Sequence, residues 1–216
     1  MMDSINLRSS TIKIFLLAVI VSACTTLTPK VSPGEVLFQD DFSRPASGWD
    51  RYEDEMYKSD YEDEMYIIKI QQQNTEAWAL PGLSFEDVII NVESSKVAGP
   101  DDNVYGVICR YQDAENFTFF LISSDGYTGI GAYVNGQKEL LSHSTLLPSD
   151  AVETDGGSNY LRAECVGEQL RLMVNGQLVA QSVTQNVIMG DVGLIAGSYE
   201  KSGVNIRFDN FSTVQP

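Results

Sequence analysis

The sequence predicts an all-β chain, with antiparallel strands in two sheets packed as one sandwich. Three observations carry this. From residue 36 onward, apolar residues fall in short alternating or continuous runs, split by Gly, Asn, Asp and Pro at intervals typical of all-β domains. No segment of that stretch has a convincing helical period. Two Asn-Gly pairs, Asn135-Gly136 and Asn175-Gly176, sit between strand-like flanks. Both central positions of a type I′ hairpin turn need positive φ, which Asn and Gly adopt at little cost.

Residues 1–23 read as an export signal. Arg8 and Lys13 supply positive charge, 14–21 (IFLLAVIV) is an apolar run, and Ser22-Ala23 are the small residues expected before a cleavage point. The run is far shorter than the roughly 20 residues of a membrane-spanning helix. Residues 24–35 read as a flexible polar tether, and 36–216 as one domain. Strands are expected at 36–40, 65–70, 76–80, 85–93, 104–111 and 117–123, each an apolar or alternating run bounded by turn residues. Further runs lie at 129–134, 160–166, 169–174, 178–182, 193–199 and 204–213. No low-complexity linker divides them, so a single sandwich is favoured. The irregular stretch 146–158 reads as a connection between sheets.

Charge narrows the partners. The 216 residues carry a formal charge of −16, and removing 1–23 makes the remainder more acidic. Nucleic acid and anionic lipid surfaces need a positive face, so neither is an expected partner. Hydrophobic content of 43% is that of a folded domain.

Beyond Cys24, two cysteines remain. Cys109 and Cys165 outside the cytoplasm are most simply a disulfide, with two buried thiols as the alternative. Alternation puts Tyr105, Val107, Cys109 and Tyr111 on one side of their strand, and Leu161, Ala163 and Cys165 on one side of theirs. If the two cysteines face each other across an antiparallel pair, Arg110 is expected opposite Glu164.

YEDEMY occurs twice, at 52–57 and 61–66. Consecutive acids on a strand point to opposite faces, so neither triplet alone converges on a cation. The second copy is expected to run into a strand, and the first to extend the loop after Trp49.

Two resemblances add to this reading. Val21-Ser22-Ala23-Cys24 resembles the lipobox of bacterial lipoproteins, which implies that Cys24 is acylated and becomes the membrane-anchored N-terminus. The residue after it is not Asp, which is similar to lipoproteins sorted to an outer membrane where the cell has one. Phe38-Gln39-Asp40-Asp41-Phe42 with Ser47-Gly48-Trp49, then Asp102-Asn103-Val104-Tyr105-Gly106, Ser123-Ser124-Asp125-Gly126-Tyr127, Gly193-Leu194-Ile195-Ala196 and the closing Phe208-Asp209-Asn210-Phe211 form an ordered set. It resembles exported bacterial concanavalin A-like (laminin G-like) jelly rolls. Relatives include domains named for 3-keto-disaccharide hydrolysis, glycan-binding modules and laminarinase-type glycosidases, so fold alone leaves function open.

The resemblance implies a saccharide ligand, for which stacking aromatics and fixed polar groups are needed. The candidates are Trp78, Arg110, Asp125, Tyr127 and Tyr133, each with a core or turn role as the alternative. Trp49, Phe117 and Phe119 are assigned to the core. A structural Ca²⁺ held by Asp41 and Asp209, in the two terminal motifs, is a further implication, and turn capping is its alternative. The Glu-x-Asp-x-x-Glu pattern of laminarinase-like relatives is absent, and the sole histidine, His143, has no nucleophile–base partner pattern. A surface-anchored, non-catalytic glycan-binding lipoprotein is therefore expected. Saccharide hydrolysis and a protein-contacting module are the alternatives.

Overall fold

The computed structural model describes residues 32–185 and 189–216. The expected signal 1–23, Cys24 and the tether as far as residue 31 lie outside the described residues. Among the described residues there are sixteen strands and no helix. They are β1 (Val36–Asp40), β2 (Tyr52–Glu53), β3 (Tyr57–Glu62), β4 (Met65–Ile70), β5 (Glu76–Ala79) and β6 (Val88–Ala98). Next come β7 (Asn103–Asp113), β8 (Asn116–Ile122), β9 (Tyr127–Val134), β10 (Gln137–Leu140) and β11 (Leu147–Pro148). The chain ends with β12 (Asn159–Val166), β13 (Gln169–Val174), β14 (Gln177–Val183), β15 (Asp191–Ser198) and β16 (Val204–Val214).

The strands form two antiparallel sheets. The larger runs β14-β13-β12-β6-β16-β4-β3-β2, with β1 also on β16; the smaller runs β10-β9-β8-β7-β15-β5, with β11 on β9. Neighbours such as β6 with β16 and β7 with β15 are far apart in sequence, so the chain repeatedly crosses between sheets, as a jelly roll requires. Every expected strand is present, and β1, β4 and β13 have the expected bounds. Both Asn-Gly turns close hairpins, with Asn135 and Asn175 each at φ 51°.

The inner faces meet in one core in which Ile68, Ile90, Phe120, Leu161, Leu172 and Phe208 are fully buried. The terminal motifs join there. Asp40 accepts the Phe42 N–H through Oδ1 (2.9 Å) and the Trp49 indole N–H through Oδ2 (3.0 Å). Trp49 stands edge-on to Phe211 at 4.8 Å and to Phe42 at 5.3 Å. Edge-to-face contact suits the ring quadrupoles. Trp49 is thus core, as expected.

The disulfide Cys109–Cys165 is present, with Cα atoms 6.8 Å apart, but it joins the sheets instead of lying within one. Cys109 is on β7 of the smaller sheet, paired to Thr118, and Cys165 is on β12 of the larger, paired to Val88 and Leu170. The expected Arg110–Glu164 pair is therefore absent. Glu164 faces Arg171 and Ile89 in its ladder and pairs with Arg162 at 2.9 Å. Arg110 instead donates to the Gly167 carbonyl at 2.6 Å, just past the end of β12. A second correction concerns Tyr111, expected on the Cys109 side. Arg110 sits at φ 57° where the β7–β8 register shifts. This bulge breaks the alternation and turns Tyr111 away from Cys109, onto the face of Ile108.

The first YEDEMY copy is a third correction, for it forms a hairpin and not a loop. β2 pairs with β3, which pairs with β4, so the duplication adds a meander to the sheet edge. The copies turn differently. Glu62 pairs with Met65 across a two-residue turn in which Asp63 and Glu64 both have positive φ, 54° and 59°. Glu53 pairs with Lys58 across four residues, and Asp54 Oδ1 caps the N–H groups of Met56 and Tyr57. Asp tolerates the left-handed region, whereas for Glu it costs about 1 kcal/mol or more. Glu64→Gly is therefore expected to raise stability by about 0.5–1 kcal/mol while keeping the Asp63–Arg207 contact. A urea midpoint unchanged or lowered would contradict this.

Candidate functional site

The smaller sheet turns a second apolar face away from the core. Val104, Ile108, Phe117, Phe119, Leu121 and Ile195 line its floor, with Trp78, Tyr111, Tyr133, Leu140 and Leu146 packed over them. Glycine makes the room. A Cβ on Gly131 would lie 2.4 Å from the Phe119 ring, so only glycine lets that ring lie across β9. Phe117 is the hub, 5.3 Å from Trp78, 4.8 Å from Tyr133 and 5.5 Å from Tyr111.

The face is strongly concave. β9 and β5 are four strands apart, about 19 Å in a flat sheet at ~4.8 Å per strand. Even so, the Tyr133 hydroxyl on β9 donates to Glu76 Oε2 on β5 at 2.6 Å. Lys138 on β10, at the opposite sheet edge, pairs with Glu76 Oε1 and lies 5.2 Å from the Phe119 ring centroid. Burial, then donation to Glu76 and that carboxylate's charge, raise the Tyr133 phenol above its ordinary range. The Glu76–Tyr133–Lys138 bridge therefore ties opposite sides of the sheet together over an aromatic floor.

Beside this bridge lies a cleft of about 380 Å³ bounded by Asn74, Glu76, Trp78, Tyr133, Lys138 and Tyr199. A second cleft of about 270 Å³ lies among Asp102, Asn103, Ser123, Asp125, Tyr127 and Tyr199. Tyr199 borders both clefts. It is 36% exposed, enough to offer a ring face to a ligand. Burial, then the charges of Glu76, Asp102 and Asp125, push its phenol up to about 12.

Four of the five expected ligand residues line these clefts: Trp78 and Tyr133 the first, Asp125 and Tyr127 the second. The Asp125 turn is held by a hydrogen bond from the Ser123 hydroxyl, and Asn103 bonds both the Ser124 N–H and its hydroxyl. Arg110 lines neither cleft. It is 4% exposed and lies at the end of the sandwich, where it donates to Gly167 and sits 3.8 Å from Asp87. Burial lowers its pKa, partly offset by Asp87. Phe117 and Phe119 are buried, though in the floor of this outer face and not between the sheets. Tyr199 was not among the expected residues, although the alternation Ile195, Gly197, Tyr199 places it on the concave face. Glu76 and Lys138 carried no local signal, because only the curvature brings them together.

Asp41 and Asp209, expected to hold Ca²⁺, each accept local hydrogen bonds. Asp41 Oδ1 accepts the Ser43 hydroxyl at 2.7 Å and its N–H at 3.1 Å, and these bonds lower its pKa. Asp209 caps the Asn210 N–H at 2.7 Å. Among the described residues no group of three or more His, Cys, Asp or Glu side chains is placed to hold a metal. Asp191 has its carboxyl raised by burial, but it accepts the N–H groups of Gly82, Leu83 and Val192 and so clamps a loop.

No protein-family model matches the sequence, and no curated protein sequence matches it. Solved structures do. A carbohydrate-binding module, CBM66 from Bacillus subtilis, aligns with a TM-score of 0.63 at 13% identity, over 78% of this chain and 96% of that one. A Bacillus subtilis protein of unknown function with a galectin-like fold aligns at 0.62 and 9% identity, over 86% and 98%. The catalytic domain of an endo-1,3-beta-glucanase (laminarinase) from Thermotoga petrophila aligns at 0.60 and 10% identity, over 86% and 99%. At these identities the likeness shows the fold, a two-sheet jelly roll shared by carbohydrate-binding modules and glycoside hydrolases.

Proposed function

We propose that this chain is an envelope lipoprotein, anchored through acylated Cys24, whose sandwich binds glycan without cleaving it. One observation carries the binding reading: Trp78, Tyr133 and Tyr199 border one cleft, with Glu76 and Asn74 as polar partners. A sugar needs that combination, an aromatic surface for its C–H face and fixed polar groups for its hydroxyls. Carbohydrate-binding modules among the structural neighbours support it. A glycosidase needs two carboxylates, one a proton donor with raised pKa. Here Glu76 is tied by Tyr133 and Lys138, and Asp191 by three backbone N–H groups.

The test is a glycan panel. Trp78→Ala and Tyr199→Ala are each expected to weaken retention about tenfold or more, as loss of a central aromatic anchor does. Tyr160→Ala, on the outer face of the other sheet, should leave it unchanged. Wild-type retention by Trp78→Ala refutes the site. Product release that stops on replacing one carboxylate shows hydrolysis instead. For the anchor, Cys24→Ala is expected to abolish palmitate labelling and move the protein to the soluble fraction, because the acyl chains that give stable membrane binding all sit on that one cysteine. Labelling that survives the substitution overturns the anchor.

A further inference from the structure

Lys138 sits on β10, an edge strand with β9 as its neighbour, and lies opposite Tyr133 in the ladder. From there its side chain reaches over the aromatic floor. The ammonium stands 5.2 Å from the Phe119 ring centroid and 6.0 Å from that of Tyr133, and it ends on Glu76 Oε1. Phe119 is fully buried, with its ring drawn across Gly131. The side chains of Lys138 and Glu76 are themselves 33% and 17% exposed. Such a pair contributes little and is screened by salt, and holding a long side chain in one rotamer costs entropy. A lysine laid on rings offers what a pyranose offers: apolar C–H groups for the ring face and a polar head beyond them. Lys138 also bounds the cleft that holds Trp78 and Tyr199.

We propose that Lys138 is a strap that occupies the saccharide's own stacking place and is displaced when a neutral oligosaccharide binds. This rests on the glycan-binding reading above. In the free protein the side chain covers Phe119 and Tyr133 while its ammonium holds Glu76. A sugar ring replaces the stem through its C–H face, and a sugar hydroxyl replaces the ammonium by donating to Glu76 Oε1. Each contact that Lys138 gives up therefore has a counterpart in the ligand, and Tyr133 keeps its own bond to Oε2. The lining carries one acid and one base, Glu76 and Lys138, so no charge is left over to select an ionic sugar. The strap lowers affinity: shut about nine-tenths of the time, it raises the apparent dissociation constant about tenfold. Salt weakens the Lys138–Glu76 pair, so a neutral sugar should bind more tightly as ionic strength rises, opposite to charge-driven recognition.

The test combines proton–carbon NMR and calorimetry on the full chain, with laminaritetraose and xylotetraose added to the glycan panel as probes. Without ligand, the Lys138 ε-methylene protons are expected upfield of their ordinary position, shifted by the Phe119 and Tyr133 rings. Their loss in Lys138→Ala identifies them, and they should move back when a saccharide binds. Lys138→Ala is expected to bind about fivefold tighter than wild type, and Lys138→Met, which keeps a stem without the charge, to gain less. Between about 20 mM and about 500 mM NaCl the wild type should tighten about twofold, and neither variant should respond. An unshifted ε-methylene in the free protein overturns the strap. So does weaker binding by Lys138→Ala, which would make the ammonium a ligand contact. Equal affinity overturns it too, leaving a bridge that only stabilises the fold. Where a saccharide still binds, each of these leaves the glycan-binding reading intact. Binding by Lys138→Ala alone supports the strap. If no saccharide of the panel binds either protein, the glycan-binding reading falls and the strap falls with it.

Discussion

Replacing Cys109 and Cys165 together by alanine is expected to lower stability by about 4 kcal/mol. The bond closes a loop with a sequence separation of 56, and opening such a loop frees that much denatured-chain entropy in the loop-closure model. Both half-cystines are fully buried in the main core, so the two lost sulfur atoms add a cavity cost in the same direction. For a domain of this size the melting temperature should fall by roughly 8–16 °C. Urea unfolding and calorimetry of the double variant check this. A loss below about 1 kcal/mol would show that the sheets hold their relative placement without the bond. Arg110, one residue past Cys109, contacts Gly167, two past Cys165. The variant is therefore expected to keep its sheet pairing and fail cooperatively.

Asp40→Ala is expected to cost about 3 kcal/mol. The carboxylate accepts two buried N–H groups, from the Phe42 backbone and the Trp49 indole. Hydrogen bonds to a charged group are each worth about 1.5–3 kcal/mol, and the orphaned donors would remain out of water. The same contact holds Phe42 at φ 53°, a conformation non-glycine residues rarely adopt without support. Asp40→Asn keeps the shape but can accept only through its one oxygen, so it should lose about half as much. A red shift of tryptophan emission in Asp40→Ala would report water reaching Trp49, and an unchanged spectrum with unchanged stability would refute the role. The effect reaches both chain ends, because β1 pairs with β16 and Trp49 packs on Phe211.

The candidate site was legible in part, and the division follows residue by residue. Trp78, Asp125, Tyr127 and Tyr133 could be selected because a half-exposed aromatic or turn acid is visible in a strand's own alternation. Arg110 was misplaced because a single bulge at its position breaks the period on which the alternation argument rests. Glu76 and Lys138 could not be paired from sequence, since 62 positions and most of a sheet's width separate them. The hexapeptide YEDEMY makes the same point within one chain. Identical residues form a two-residue turn in one copy and a four-residue connection in the other. In the second copy, Tyr66 must be buried in the core to donate to the Asp50 carbonyl, and that burial sets the register.

What the sequence determined by itself was local: an all-strand chain, its turn positions and the inward face of each regular strand. Those follow from backbone sterics and from the two-residue period, which operate over a few neighbours. Only the tertiary structure decided which sheet each strand joined, that the sulfur bond spans the sandwich, and that the smaller sheet curls until Tyr133 reaches Glu76. Strand order and sheet curvature depend on packing between residues far apart in the chain, where no single segment holds the deciding contact.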